Sequence, residues 1–347
     1  MLIDGGPLIE PAGPLDRLAD PARVADPDSV AVTSAVGSLT WRQLDRSSAV
    51  LAGRYRDLGL EPGDRLASLM PNRVELLVHY LACFKAGLVA TPLNYRYTAR
   101  EIDHALEVSG AKALVVHVER AEDLAQSERV PGLRAGLVTF GEPAGGPGRP
   151  GGPGAAHRLE ELLAADAGPV ELDPPDPSSP AAIFFTSGST GPAKGVTHSH
   201  ETLRWMFASV VAAMDFTAAD VCLPGSSMSH IGAFMFGLSA MSAGAPVVVA
   251  RSYDAHELLP LLRAERPTVL TILPAALTAI IRDHDVRPED FACLRICRAG
   301  ADKVSTELLT EFAELAGFQI DEGYGMTEVG LATLNPPAGI IKPGSIG

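Results

Sequence analysis

Residues 186–191 read Thr-Ser-Gly-Ser-Thr-Gly, and Lys194 follows with Gly195 beside it. Four hydroxyls, three glycines and one cation in ten residues are the equipment for holding a polyphosphate. Glycines at 188, 191 and 195 let the backbone approach a ligand closely. Successive N–H groups and the hydroxyls of Thr186, Ser187, Ser189 and Thr190 donate to phosphate oxygens, and Lys194 supplies charge. The same composition also suits a flexible connector. Here, however, the segment is short and is clamped between an apolar run, Ala181–Phe185, that reads as a buried strand and an amphipathic run, Val196–Met214, that reads as a helix. Lys194 lies between Ala193 and Gly195 with no Ser or Thr after it, so this is not a Walker A loop and a P-loop kinase or GTPase is disfavoured.

Three further places carry residues with chemical potential. His230 sits where a strand, Val221–Leu223, gives way to a helix bearing Phe234, Met235, Leu238 and Met241. A lone histidine beside apolar residues serves either as a satisfied core residue or, at the carboxyl end of a strand, as part of a ligand pocket. Arg298-Ala299-Gly300-Ala301 follows another strand; side chains this small pack tightly or let a ligand lie on the backbone. Asp321-Glu322-Gly323-Tyr324-Gly325-Met326-Thr327-Glu328 is the third. Read alone, Tyr324 is equally a core ring, Thr327 a helix cap and Glu328 a solvated first-turn carboxylate.

Taken together, TSGSTGPAKGV at 186–196 and EGYGMTE at 322–328 resemble the signature segments of the adenylate-forming superfamily, which includes acyl-CoA synthetases, amino-acid adenylation domains and luciferases. The resemblance implies ATP-dependent activation of a carboxylic acid to an acyl-adenylate, followed by transfer to coenzyme A or a carrier-protein thiol, with Mg²⁺ as the metal. Thr186, Ser187, Gly188, Ser189, Thr190, Gly191 and Lys194 would hold the β and γ phosphates. Gly300, Ala301, Gly323 and Tyr324 would surround the adenine, Thr327 would donate to the α-phosphate, Glu328 would bind Mg²⁺, and His230 would orient the carboxylate. Glu322 stands where relatives often carry Asn or Gln, which leaves its adenine contact open. The acyl pocket would be lined by Met228, His230, Ile231, Gly232, Phe234, Met235, Gly300 and Gly325. Ser229 stands where relatives often have an apolar or aromatic residue, so that wall is expected to be more polar or roomier. Amino-acid adenylation domains place an aspartate in this region to hold the substrate's ammonium; none lies between Val221 and Ala250, so the resemblance implies an acid without an α-amino group. The apolar lining favours a medium- or long-chain fatty acid over an aryl acid; a non-catalytic acyl- or nucleotide-binding truncation product is a third reading.

The elements that must position these residues read as an α/β fold: two packed lobes, 1–170 and 176–336, of mostly parallel sheets flanked by helices. Up to about Ser38 the chain is rich in Pro, Gly and Asp, and an irregular lead-in with a short helix near Leu15–Ala25 is expected. A helix then starts at Thr40-Trp41 and ends at Gly59, followed by strand Arg65–Met70, helix Val74–Ala86 closed by Gly87, and strand Leu88–Pro92, a βαβ unit. Helix Thr98–Val108 and strand Ala113–His117 repeat the alternation. Gly141–Gly154, dominated by Gly and Pro, reads as a surface excursion, and the Pro-rich stretch 172–177 as a boundary. Beyond the pocket helix come strand Pro246–Val249, helix Ala255–Ala264, strand Thr268–Leu273, helix Pro274–Asp283 and strand Leu294–Cys297. Lys342–Gly347 resembles the entry to the family's small β-barrel. Most of that barrel and the C-terminal lid with its lysine are therefore expected to be missing, and this N-terminal domain to be inactive or nearly so.

The 347 residues are 46% hydrophobic, enough for a substantial core. Lys and Arg number 28 against 42 acidic residues, a net charge of −14, so nucleic acid is not an expected partner. Four scattered cysteines read as buried reduced thiols in a cytoplasmic protein. The N-terminus has neither the basic start nor the apolar core of a signal peptide. The uncharged run 231–250 is broken by Ser242-Ala243-Gly244-Ala245-Pro246, so no membrane span is expected. Expected partners are a small-molecule carboxylic acid and coenzyme A, with a homodimer as a further expectation.

Overall fold

A computed structural model describes residues 9–141, 155–164, 168, 170, 172–186 and 191–335. The expected surface excursion at 141–154 and the barrel-like terminus 342–347 fall outside these residues, except for Gly141. After two single turns at Leu15–Arg17 and Pro21–Arg23, which replace the expected short helix, come β1 (Val30–Ser34), β2 (Gly37–Thr40) and α1 (Trp41–Asp57). Then follow β3 (Arg65–Leu69), α2 (Val74–Ala86), β4 (Val89–Pro92), α3 (Ala99–Ser109), β5 (Ala113–His117), α4 (Ala121–Leu124), β6 (Gly136–Phe140), β7 (Ala155–Arg158) and α5 (Leu159–Ala164). The second half contributes β8 (Pro180–Thr186), β9 (Lys194–Ser199), α6 (His200–Met214), β10 (Cys222–Gly225), α7 (Ile231–Ser242), β11 (Val247–Val249), α8 (Ala255–Glu265) and β12 (Val269–Ile272). It closes with α9 (Pro274–Asp283), α10 (Pro288–Phe291), β13 (Ile296–Gly300), α11 (Thr306–Ala316), β14 (Asp321–Met326) and β15 (Gly330–Leu334).

Local chemistry sets many of these limits. Thr40 and Gln43 cap α1 reciprocally: the Thr40 hydroxyl accepts from Gln43 N–H at 3.2 Å, and the Gln43 side chain accepts from Thr40 N–H at 2.9 Å. Gly87 closes α2 in the left-handed region, φ 67°.

Two sheets result. One has seven strands in the order β7-β6-β5-β3-β4-β8-β9, and the other eight in the order β15-β14-β13-β12-β10-β11-β1-β2. Both are parallel inside and antiparallel at hairpins on their edges: β8–β9 in the first, β14–β15 and β1–β2 in the second. Parallel strands covered on both faces explain the continuous apolar runs.

Four further sequence expectations are corrected. The lead-in before Ser38 is not irregular throughout, because β1 pairs in parallel with β11, Val32 opposite Val247, a partner no local pattern announces. Residues 194–199 do not open the helix. They form β9, antiparallel to β8 with Thr186 opposite Lys194, and Ser199 caps α6 by accepting from Thr202 N–H at 3.1 Å. The strand expected at Leu294–Cys297 starts at Ile296 and runs on through Arg298 to Gly300. Nor do the sheets divide at residues 170–176: β1 and β2 belong with the later strands, and β8 and β9 with the earlier ones.

The join between the sheets is an aromatic cluster. Phe234 of α7 packs at steep ring angles on Phe184 of β8 (4.8 Å between centroids), Tyr80 (5.2 Å) and Phe84 (6.3 Å) of α2, and is tilted against Phe207 of α6 (6.1 Å). Such pairs add about 0.5–1.5 kcal/mol each beyond the area they bury. Polar bonds reinforce the join: Asn72 donates to Ser226 O at 2.8 Å and accepts from Met228 N–H at 2.8 Å, and Tyr80 donates to Met228 O at 3.0 Å.

Candidate active site

The loop 226–230 pinned by Asn72 and Tyr80 leads into α7, and the two together form one wall of a cavity of about 450 Å³. Ser226, Ser227, His230, Ile231, Gly232, Ala233, Met235 and Phe236 line that wall. The floor comes from neighbouring strands: Thr271 and Ile272 of β12, Arg298 and Gly300 of β13, Gly323 and Gly325 of β14. Thr327, in the β14–β15 turn, and Ala301 line it as well. Ala301 holds φ 66°, a strained conformation for a residue with a Cβ and one that concentrates at functional sites.

His230 is the N-cap residue of α7 but makes no side-chain cap bond, so its ring is free to face the cavity. His230 lines the cavity, and desolvation by the surrounding protein lowers its pKa. The first turn of α7 is therefore uncapped by any side chain, and a Cβ added to Gly232 there would meet open space. Orphan N–H groups at such a helix start favour a carboxylate.

The β8–β9 hairpin approaches from the other sheet. His198 is buried and lies four residues beyond Lys194 on β9, on the same face by strand alternation; its Nε2 donates to Thr327 O at 2.8 Å. A carbonyl only accepts, so Nε2 carries the proton. Burial lowers the pKa of His198, against smaller raising effects of the Thr327 bond and the Glu328 charge. Thr327 is thus shared, its carbonyl held by the β8–β9 hairpin while the residue lines the cavity. Glu328 lies in the adjoining crevice with His198, Thr202, Trp205 and Met206. On the far side of the hairpin, His104 of α3 hydrogen-bonds Ala193 O at 2.8 Å, beside Lys194.

Of the residues singled out from sequence, His230, Ile231, Gly232, Met235, Gly300, Ala301, Gly323, Gly325 and Thr327 meet at the cavity. Met228 and Phe234 do not: both are wholly buried in the core, Phe234 as the hub of the aromatic cluster. Tyr324 is half-exposed and, with Glu322, lies outside the cavity lining. Thr186 ends β8, Gly191 and Lys194 are exposed, and Ser187, Gly188, Ser189 and Thr190 lie outside the described residues. Ser229 is buried and bonded to Ser227 Oγ at 2.7 Å, and it is Ser226 and Ser227 that make the wall polar. Sequence reading missed His198 and Thr271, and it named Arg298 only as part of a small-residue turn, without a role for its side chain. A cation inside the strand Ile-Cys-Arg-Ala-Gly was the available signal for the last.

Comparison with known proteins places this geometry. Feruloyl-CoA synthase from Amycolatopsis sp is 33% identical over 303 residues, covering 87% of this chain and 57% of that protein. Fatty acid–[acyl-carrier-protein] ligase ScoC from Streptomyces coeruleorubidus is 30% identical over 326 residues, covering 92% and 60%. The chain thus spans less than two thirds of the length of either. ATP-bound MatB from Rhodopseudomonas palustris superposes with a TM-score of 0.83 at 26% identity, over 96% of this chain and 64% of that one. Residues 21–347 match the family described as AMP-binding enzyme, and the chain belongs to that family.

Proposed function

We propose that this chain forms the nucleotide- and acid-binding part of an AMP-forming acid–thiol ligase. A carboxylate oxygen attacks the α-phosphorus of ATP, a P–O bond forms and the bond to pyrophosphate breaks. The sulfur of coenzyme A, or of a carrier protein, then attacks the acyl carbon and AMP leaves. Oxide is too poor a leaving group for a thiol to displace directly, which is why the mixed anhydride comes first.

The observation that carries this reading is the sharing of Thr327. An acid in the cavity and a triphosphate over the β8–β9 hairpin converge on that residue, joined by the His198 bond. Catalysis of this kind rests on positioning and charge neutralisation. The first turn of α7 and His230 orient the carboxylate, Thr327 donates to the α-phosphate, and Lys194 with the Thr186–Gly191 loop holds the β and γ phosphates. Among the described residues no cluster of three or more His, Cys, Asp or Glu could hold a metal ion. Glu328 offers one hard carboxylate, which suits Mg²⁺ shared with phosphate oxygens and not caged by protein alone. That ion supplies charge neutralisation when bound.

The fatty-acid preference drew on Phe234, Met235, Met228 and Ile231, of which Phe234 and Met228 pack in the core; Met235 and Ile231 line the cavity with Phe236, Ile272, Leu273 and Leu331, beside polar Thr271 and Arg298. Both acyl and aryl acids fit that description. The test is binding of a non-reactive acyl-adenylate mimic, an acyl-sulfamoyl adenosine, to the 347-residue chain by calorimetry. A mimic that bridges both sites binds at least 100-fold more tightly than either ATP or the acid; no detectable binding of mimic or ATP ends the reading. Residues 1–347 alone are expected to bind the mimic yet release little pyrophosphate, and normal turnover would defeat that part.

A further inference from the structure

The loop that the proposed function assigns to the phosphates closes between two strands, with Thr186 at the end of β8 opposite Lys194 at the start of β9. A segment of this kind holds a ligand well only if its flanks are fixed beforehand, because ordering them on binding subtracts from the affinity. The β8 flank is held by the core: Ile183 and Phe185 are buried in one cluster with Ile102, Ala105 and Leu106 of α3. The other flank is the edge strand β9, whose first two residues, Lys194 and Gly195, are exposed. His104 of α3 reaches it there. Its Nε2 lies 2.8 Å from Ala193 O, and since a carbonyl only accepts, the ring donates. The Ala193 carbonyl and the Lys194 N–H belong to one rigid trans peptide unit. Fixing the oxygen therefore fixes the plane from which the Lys194 side chain departs, with the Lys194 N–H turned away from α3.

His104 is itself anchored. The Glu101 carboxylate accepts from Thr98 N–H at 2.8 Å at the start of α3, and Asp103, next to His104, accepts the Ser127 hydroxyl and the N–H groups of Glu128 at 2.9 Å and Arg129 at 3.2 Å. A donor held in this way needs no ordering when a ligand arrives. Resting on the function proposed above, we infer that His104 is a positioning residue for the phosphate loop: its bond to Ala193 O presets Lys194 for the β and γ phosphates of ATP. The effect is confined to ligands that carry those phosphates. AMP and an acyl-sulfamoyl adenosine end at the α-phosphate position and do not reach Lys194. Were the bond there only to satisfy a carbonyl, its loss would lower stability and leave the preference for ATP over AMP where it was.

The experiment measures, by calorimetry on the 347-residue chain, the affinities of ATP, AMP and the acyl-sulfamoyl adenosine for the native chain, His104→Phe, His104→Gln, Lys194→Ala and the double variant His104→Phe with Lys194→Ala. His104→Phe keeps the ring and removes the donor. ATP affinity should fall about 3- to 10-fold, the worth of one hydrogen bond, while AMP and the mimic stay within about twofold. His104→Gln, whose amide nitrogen takes the place of Nε2, should restore most of the loss. Because His104 acts through Lys194, its replacement should cost less than about twofold once Lys194 is alanine. An unchanged ATP affinity in His104→Phe overturns the inference, and native binding of ATP and mimic then leaves the proposed function standing. A loss shared equally by ATP, AMP and mimic overturns it too, as does one that persists in full without the lysine. Native ATP binding no tighter than AMP binding also overturns it, since the loop then adds nothing to preset. If the native chain binds neither ATP nor mimic, both readings fall. Should His104→Phe not fold, His104→Ala carries the same comparison, the position being half-buried.

Discussion

Replacing His198 with Phe isolates the bond that joins the two halves of the site. The ring keeps its volume and its place 6.3 Å from Phe184, but the Nε2–H that holds Thr327 O at 2.8 Å is lost. Stranding a buried carbonyl costs about 1–3 kcal/mol, and the partly buried setting here puts the loss at about 1–2 kcal/mol. If that energy goes into seating Thr327 against the β8–β9 hairpin, affinity for an acyl-adenylate mimic falls about 5- to 30-fold. Affinity for the isolated acid changes far less. His198→Gln, which restores a donor, should recover much of the loss. Protonation does not break the bond, since the imidazolium also donates from Nε2; with the pKa lowered by burial, this residue adds no break to the affinity profile near neutral pH. Calorimetry on the two variants, with circular dichroism to verify folding, is the assay. A folded His198→Phe chain that binds the mimic within twofold of the native value refutes the idea that the sheets cooperate through Thr327.

Lys194→Ala should weaken ATP binding about tenfold, and more at low salt, while leaving the melting temperature unchanged, because the side chain is exposed; an unaltered ATP affinity would remove it from the site. Gly325→Ala would drive a Cβ into the Gly330 carbonyl oxygen, so the β14–β15 hairpin must open and mimic binding should be lost, as measured by titration beside a thermal melt. Two buried rings set an acid limit. Burial holds His79 at about 3, where it bonds Tyr55 at 2.8 Å, and His200 at about 4, against 6.5 when unfolded. Since the unfolded chain takes up these protons first, stability is full above 6.5 and declines below it. The decline is about 1.4 kcal/mol per pH unit for each ring, ending near the two folded values. Urea unfolding at several pH values between about 4 and 6 should show a slope smaller by about 1.4 kcal/mol per pH unit in His200→Gln; an unchanged slope contradicts the assignment.

Much of the architecture was legible because it is local. α2 and β5 carry their own limits in apolar runs and, for α2, in the closing Gly87. What escaped was settled at a distance. β9 carries the β-branched pair Val196-Thr197, but it runs without a break into α6, and only pairing with β8 separates the two. α7 is apolar on every side, so periodicity could not tell that Met235 faces the cavity and its neighbour Phe234 the core. His198 and Thr327 lie far apart in sequence, and nothing near either names the other.

The exchange of strands between the sheets bears on how this polypeptide is made. Val30–Thr40 leaves the ribosome early, yet the edge it must join, Val247–Val249, is synthesised about two hundred residues afterwards. Until then the pair is an orphan ribbon, too small to be stable by itself and open to mispairing. Such distant closure slows folding. Assembly should therefore finish in one late step, and truncations ending before residue 247 should emerge aggregation-prone and not as half-sized folded units.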